Sequence, residues 1–313
     1  MKKQRRIVSV VLCISAFMAL GGGGLGFSVE ELEISPEYLK SSKPGASLDN
    51  TSVESTHPSS FSSSLSRDSS PAGIVDTQIA YLTRKIEKSP QDATLFNERG
   101  MLYRQKGDYD HAISDLTRAL DLLPAMSRAY YNRAWVYLDL GQSDKALMDV
   151  EKALEGEPAL GDAFFLRGTI YQQKMEYQKA LRDYDQVLSL NPKNTKALSS
   201  RGIIYEDMKE YDQAIADYSQ AIELDPLNSK TWSNRAHVYA AKGDIRRAIA
   251  DYNRTSELDP SLPDPYYAKA QLLDQLGKKK EALQAYQAYV QYAPPDAGYY
   301  LEKAKKKIKS LNK

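Results

Sequence analysis

The chain has 313 residues, 42 basic against 41 acidic side chains, 42% hydrophobic residues and one cysteine. Such a near-neutral, evenly mixed composition is that of a soluble protein with no global attraction for nucleic acid. The one marked bias is 22 tyrosines against 6 phenylalanines.

Residues 2–6 read KKQRR, residues 7–20 are apolar, and Gly21 to Gly24 follow. Basic, then apolar, then small is the order of a secretory signal peptide. The apolar core would span roughly 21 Å as a helix, short of a ~30 Å hydrocarbon layer, which favours cleavage. Counted on to Phe27, the uncharged run is long enough for an uncleaved anchor that would give membrane contact through residues 7–27. Lipidation at Cys13 is disfavoured by the bulky Leu12 before it. We therefore assign residues 1–27 as a signal peptide or membrane anchor, which places the rest in the periplasm or elsewhere in the cell envelope, or outside the cell. Without this segment the chain has 38 basic against 41 acidic residues and no thiol, which permits an oxidising compartment without requiring one.

Residues 28–73 are serine-rich and lack a periodic apolar pattern, so ordering them would cost more than their burial returns; they are expected to be a disordered linker. His57 in this stretch has no metal-ligand spacing around it. Over 74–91, Val75, Ile79, Leu82 and Ile86 fall on one helical stripe ahead of Pro90, the pattern of a capping helix.

From Ala93 the sequence repeats every 34 residues. Alanines recur at 112, 146, 180, 214, 248 and 282. Prolines recur at 90, 124, 158, 192, 226, 260 and 294. A small residue recurs at Gly100, Ala134, Gly168, Gly202, Ala236 and Ala270, followed three places on by Tyr103, Tyr137, Tyr171, Tyr205, Tyr239 and Leu273. In the first half of a unit a large residue, the small residue and the aromatic lie at i, i+4 and i+7, as in Phe164, Gly168 and Tyr171, one face of a helix. The second half carries another such stripe, as in Ala180, Leu181, Tyr184 and Val187. Gly107, Gly141, Gly243 and Gly277 mark the turn between halves, and each proline stops the second helix. Six units follow: 93–126, 127–160, 161–194, 195–228, 229–262 and 263–296.

This pattern resembles the tetratricopeptide repeat. In the fifth unit Trp232, Ala236, Tyr239, Ala248, Tyr252 and Pro260 stand at the family's marked places. The resemblance implies an all-α solenoid, a right-handed superhelix of antiparallel helix pairs, in which each unit buries its faces against its neighbours. Most tyrosines are then packing residues. Residues 297–313 form a closing helix, with Leu301, Ala304, Ile308 and Leu311 inward and lysines around them. A solvated face is the ordinary meaning of such lysines, and an anionic surface or acidic partner is the alternative.

Arg99, Arg133, Arg167, Arg201 and Arg235 each precede an aspartate by sixteen residues: Asp115, Asp149, Asp183, Asp217 and Asp251. In the sixth unit both change, to Lys269 and Ala285. The joint change points to structural ion pairs, within a hairpin or to its neighbour, rather than a ladder for phosphate.

The resemblance also implies a peptide groove along the inner face of the first helices. Met101, Tyr131, Trp135, Leu138 and Phe165 then form an apolar patch, with Thr169 beside it and Arg104, Arg128 and Gln173 as a polar rim. The same large residues could instead fill the space between neighbouring first helices. The cationic clamp that some family members use for a terminal carboxylate is missing at these places.

The chain offers no glycine-rich phosphate loop, no metal-ligand spacing and no thiol beyond Cys13, so neither cofactor, metal nor catalysis is expected. His111 and His237 sit on different units. The expectation is a non-enzymatic protein–protein interaction scaffold of the cell envelope; self-assembly and adaptation to an anionic surface through the lysine-rich helix are the alternatives. Partner identity and oligomeric state are not encoded in these patterns.

Overall fold

The structure, a computed structural model, describes residues 71–312; the expected leader and nearly all of the expected linker lie outside the described residues. Fourteen helices and no strand are found among the described residues. Helix α1 (Pro71–Lys88) begins with proline, whose missing N–H costs nothing in a first turn, and it takes in the last three residues assigned above to the linker. Its Val75 and Leu82 are buried.

Six hairpins follow: α2 (Ala93–Lys106) with α3 (Tyr109–Leu122), α4 (Ser127–Asp139) with α5 (Ser143–Gly156), and α6 (Gly161–Gln173) with α7 (Tyr177–Leu190). The remaining three are α8 (Thr195–Asp207) with α9 (Tyr211–Leu224), α10 (Ser229–Ala241) with α11 (Ile245–Leu258), and α12 (Asp264–Gln275) with α13 (Lys279–Tyr292). Helix α14 (Gly298–Leu311) closes the stack with Ala304 buried. Every second helix stops two residues before its unit's proline, because the residue preceding a proline is pushed out of the helical region.

The two helices of a unit approach closely where the recurring small residue lies. A Cβ on Gly202 would come within 2.8 Å of the Tyr218 ring, and one on Gly100 within 2.8 Å of Leu116. Tyr184 and Tyr218 are wholly buried, which accounts for part of the tyrosine bias as packing.

The turn between helices takes one left-handed residue in every unit. Gly107 has φ 80°, and the next amide, of Asp108, reaches back to the Tyr103 carbonyl at 2.9 Å. The third and fourth units hold the same conformation without glycine, at Met175 (φ 58°) and Lys209 (φ 61°). The glycine pattern therefore understated the number of left-handed turns. Left-handed backbone costs a residue with a Cβ about 1–2 kcal/mol, whereas glycine loses about 0.5–1 kcal/mol more entropy on folding. Met175→Gly and Lys209→Gly should each raise stability by about 0.5–1 kcal/mol, read as a higher midpoint in chemical denaturation; an unchanged or lower midpoint would show that the turn is unstrained.

The recurring arginines do more than join the two helices of a hairpin. Arg133 Nε and one terminal nitrogen donate to both oxygens of Asp149 at 2.7 and 2.9 Å, while the other terminal nitrogen donates to Thr117 Oγ1 of the preceding unit at 3.0 Å. Arg99 reaches Thr83 of α1, Arg201 reaches Asp185 and Arg235 reaches Ser219 in the same way. Each of these guanidinium groups thus ties three helices together. Arg167 makes the bidentate bond to Asp183 at 2.7 and 2.9 Å. Aromatics flank the cations: Arg235 lies 4.9 Å from the Trp232 ring and 5.6 Å from Tyr239. In the sixth unit Lys269 keeps only the backward contact, to Asn253 Oδ1 at 3.0 Å. With Ala285 in place of a carboxylate, burial pulls the Lys269 ammonium below the usual lysine range.

The Asp149 side chain is 6% exposed, so removing its partner strands a charge. Arg133→Ala should cost about 2–4 kcal/mol, whereas Arg133→Met with Asp149→Leu, which removes both charges, should cost less than half as much. Equal losses in the two variants, measured by denaturant titration, would contradict the pairing as the reason.

Candidate partner-binding groove

From α2 to α10, first helices of neighbouring units lie closer together than second helices do, which puts α2, α4, α6, α8 and α10 on one inner side. They are also tied directly: Asn132 Nδ2 of α4 donates to Asn97 Oδ1 of α2 at 2.8 Å, both side chains buried. Met101, Tyr131, Trp135 and Phe165 stand five or nine places into their units, where the sequence pattern puts the inner side.

In α2, α4 and α6 those places carry the apolar set. Tyr131, Trp135 and Leu138 are each partly buried against a core that includes Val150, Leu166 and Ile170. Phe165 packs on the core of its own hairpin, where Ala180, Leu181 and Tyr184 meet Ile204 of the next unit, its ring 5.5 Å from that of Tyr184, and Met101 is half-buried on α2. The set is therefore neither a free surface nor a filled interior: each of these side chains is packed against the stack and partly exposed. Burial raises the Tyr131 hydroxyl above the ordinary phenol range. The Trp135 indole Nε1 is buried beside Tyr131 and, among the described residues, makes no hydrogen bond of ordinary geometry.

Two arginines edge the patch. The Arg104 guanidinium lies 4.9 Å over the Trp135 ring and donates to Asp139 at 2.7 Å. Arg128 lies 5.7 Å from the Tyr131 ring and pairs with Asp162 at 3.3 Å, in the open. Asp139 and Asp162 had no place in the sequence reading, although each stands about one unit beyond its arginine and shares its frame. Gln173 is exposed at the end of α6.

Thr169 departs from the expectation. It is 1% exposed, donates to the Phe165 carbonyl at 2.9 Å and meets the Tyr184 hydroxyl at 3.3 Å. A threonine nine places into its unit is too short to leave the stack, so Thr169 is a packing residue beneath the aromatic set. The Tyr184 hydroxyl beneath it also donates to Gln172 Oε1 at 2.9 Å, and burial pushes this phenol up to about 12.

Further along, His237 of α10 is not isolated. Its Nδ1 hydrogen-bonds Glu206 Oε1 of α8, and the Tyr218 hydroxyl donates to Glu206 Oε2 at 3.1 Å. Asp207 beside it accepts from Tyr177 at 3.2 Å; its edge is open, but close protein around the rest desolvates the carboxyl and raises it above the usual range. The His237–Glu206 contact joins places in adjacent units, a signal visible once the repeat frame is laid over the sequence. No group of three or more histidine, cysteine, aspartate or glutamate side chains is arranged to hold a metal among the described residues.

Comparison with known proteins follows the same frame. Family models described as tetratricopeptide repeat match residues 91–156, 161–194, 195–228, 218–250 and 263–296, and one described as TPR repeat matches 236–277. No curated protein matches the chain. Among solved structures, YrrB, described as a TPR protein with an unusual peptide-binding site, is 24% identical and aligns over 60% of this chain and 97% of its own, with a TM-score of 0.51. A tetratricopeptide repeat protein from Parabacteroides merdae is 23% identical over 77% of this chain and 93% of its own, TM-score 0.55. The pilF protein of Pseudomonas aeruginosa is 15% identical over 69% and 98%, TM-score 0.60. At these identities the likeness establishes the α-solenoid fold alone.

Proposed function

Because the chain belongs to the tetratricopeptide repeat family, we propose that it is a non-enzymatic protein–protein interaction scaffold of the cell envelope that holds a partner segment in the inner groove of its first three units. The observation that carries the reading is the half-covered aromatic cluster of Tyr131, Trp135 and Phe165 with Met101 and Leu138. Rings of this kind, packed against the stack yet partly exposed, are what a binding site requires: rigid, already partly desolvated and costing little entropy to engage. Arg104 and Arg128, held by Asp139 and Asp162, supply a polar rim that orients a segment without setting a strong field. The peptide-binding site named for YrrB supports a peptide or a segment of a folded domain as the class of partner. The envelope setting rests on the basic, apolar and small-residue order of residues 2–24.

The test is binding of envelope proteins to the full chain and to a Tyr131→Ala, Trp135→Ala variant whose helicity matches by circular dichroism. Two anchors worth about 2 kcal/mol each predict a loss of affinity of roughly 10²–10³-fold. A folded variant that retains its partner within about threefold would remove the cluster from the binding site.

A further inference from the structure

The cationic end of the stack is a second surface, separate from the groove and independent of that reading. Residues 276–313 contain nine lysines against three acidic residues, in a chain whose net charge is +1. The structure gathers many of them at one end. Helix α14 runs alongside α12 in the same direction: Tyr300 near its start stacks edge-on to Tyr267 near the start of α12 at 5.6 Å, and Lys307 near its end pairs with Asp274 near the end of α12 at 2.7 Å. The last turns of α14 therefore lie beside the turn that leads into α13. Lys306 and Lys309 belong to those last turns and Lys279 and Lys280 open α13, and none of the four forms a salt bridge among the described residues.

Fold stability does not explain this grouping. Lys279 and Lys280 occupy the first turn of α13, where the positive end of the helix dipole disfavours cations. At the second of these places the earlier hairpins carry Asp110, Asp144, Gln178 and Asp212, then Arg246, so the edge passes from acidic to basic along the array. Leu276, 45% exposed, stands at the tip of the same turn amid the lysines. Unpaired cations beside an exposed apolar residue fit an anionic lipid surface, which takes charge at its headgroups and an apolar side chain beneath them, better than a peptide. We infer that this end docks on an anionic lipid bilayer, with Lys279, Lys280, Lys306 and Lys309 meeting headgroups and Leu276 entering the interface.

The experiment compares the full chain with a Lys279→Glu, Lys280→Glu, Lys306→Glu, Lys309→Glu variant in sedimentation with phosphatidylcholine vesicles, with and without about 30% phosphatidylglycerol. Both chains keep the same residues 1–70, so the difference between them reads the C-terminal end alone. The native chain should bind the anionic vesicles at least about a hundredfold more tightly than the variant, with the gap closing above roughly 0.5 M salt. Separately, Lys279→Glu with Lys280→Glu should raise the melting temperature. Lys306→Gln with Lys309→Gln, which leaves α13 untouched, should weaken the anionic preference several-fold and keeps the test sound should the four-fold variant misfold. Equal binding by folded variants and native chain would overturn the proposal, as would tighter binding of a soluble polyglutamate peptide than of the vesicles, the result expected of a site for an acidic protein.

Discussion

The structure depends on one contact made repeatedly: a guanidinium that grips the aspartate of its own hairpin with two nitrogens and reaches the preceding unit's second helix with a third. A planar, permanently charged fork suits this task, because it satisfies a nearly buried carboxylate on two lone pairs and still has donors left over. The pairing is close to neutral when weighed against an apolar replacement, so its value lies in register. In four of the six hairpins it fixes where the unit stands on the helix before it, and a solenoid has no central core to do so. The last unit shows the consequence of losing it: Lys269 keeps the link to its neighbour, gives up the carboxylate, and hands stabilisation over to the tyrosine cluster around Tyr267, Tyr286 and Tyr289.

Register in turn makes the inner face. With second helices held apart and first helices in contact, side chains from three successive units converge on a strip that no single unit could build. Tyr131 and Trp135 come from one helix, Phe165 from the next and Arg104 from the one before. Their geometry follows from the stack, while their chemistry is free to differ from unit to unit, because nothing in the packing requires a tryptophan there. The same freedom at the closing end allows lysines at a helix start that stability would reject.

Most of the fold was legible because a 34-residue period leaves little room for another reading: the alanines, prolines and tyrosines name the helices, their ends and their buried faces. The Met175 and Lys209 turns were not legible, since a left-handed residue with a side chain leaves no mark in composition; only the register of the neighbouring glycines points to it. The arginine–aspartate pairing was visible as covariation between units, but the third bond was not, because Thr83, Thr117, Asp185 and Ser219 share a place and not a chemistry. In the groove, Tyr131, Trp135 and Phe165 could be placed on the inner side but not divided between packing and exposure. That division is set by ring orientation, which depends on the neighbouring unit. Thr169 shows the limit: its place in the repeat suggested an exposed side chain, and its length leaves it buried.

The central claim is that the inner face of α2, α4 and α6, and not the outer face of the second helices, meets the partner. Photo-crosslinking in cells that express the full chain tests it most directly, with a photoreactive phenylalanine analogue placed at Gln173 at the end of α6 or at Met148, 61% exposed on the second helix α5. The account predicts a discrete protein adduct from position 173 that disappears with Trp135→Ala, and none from position 148. An adduct confined to position 148 would contradict it.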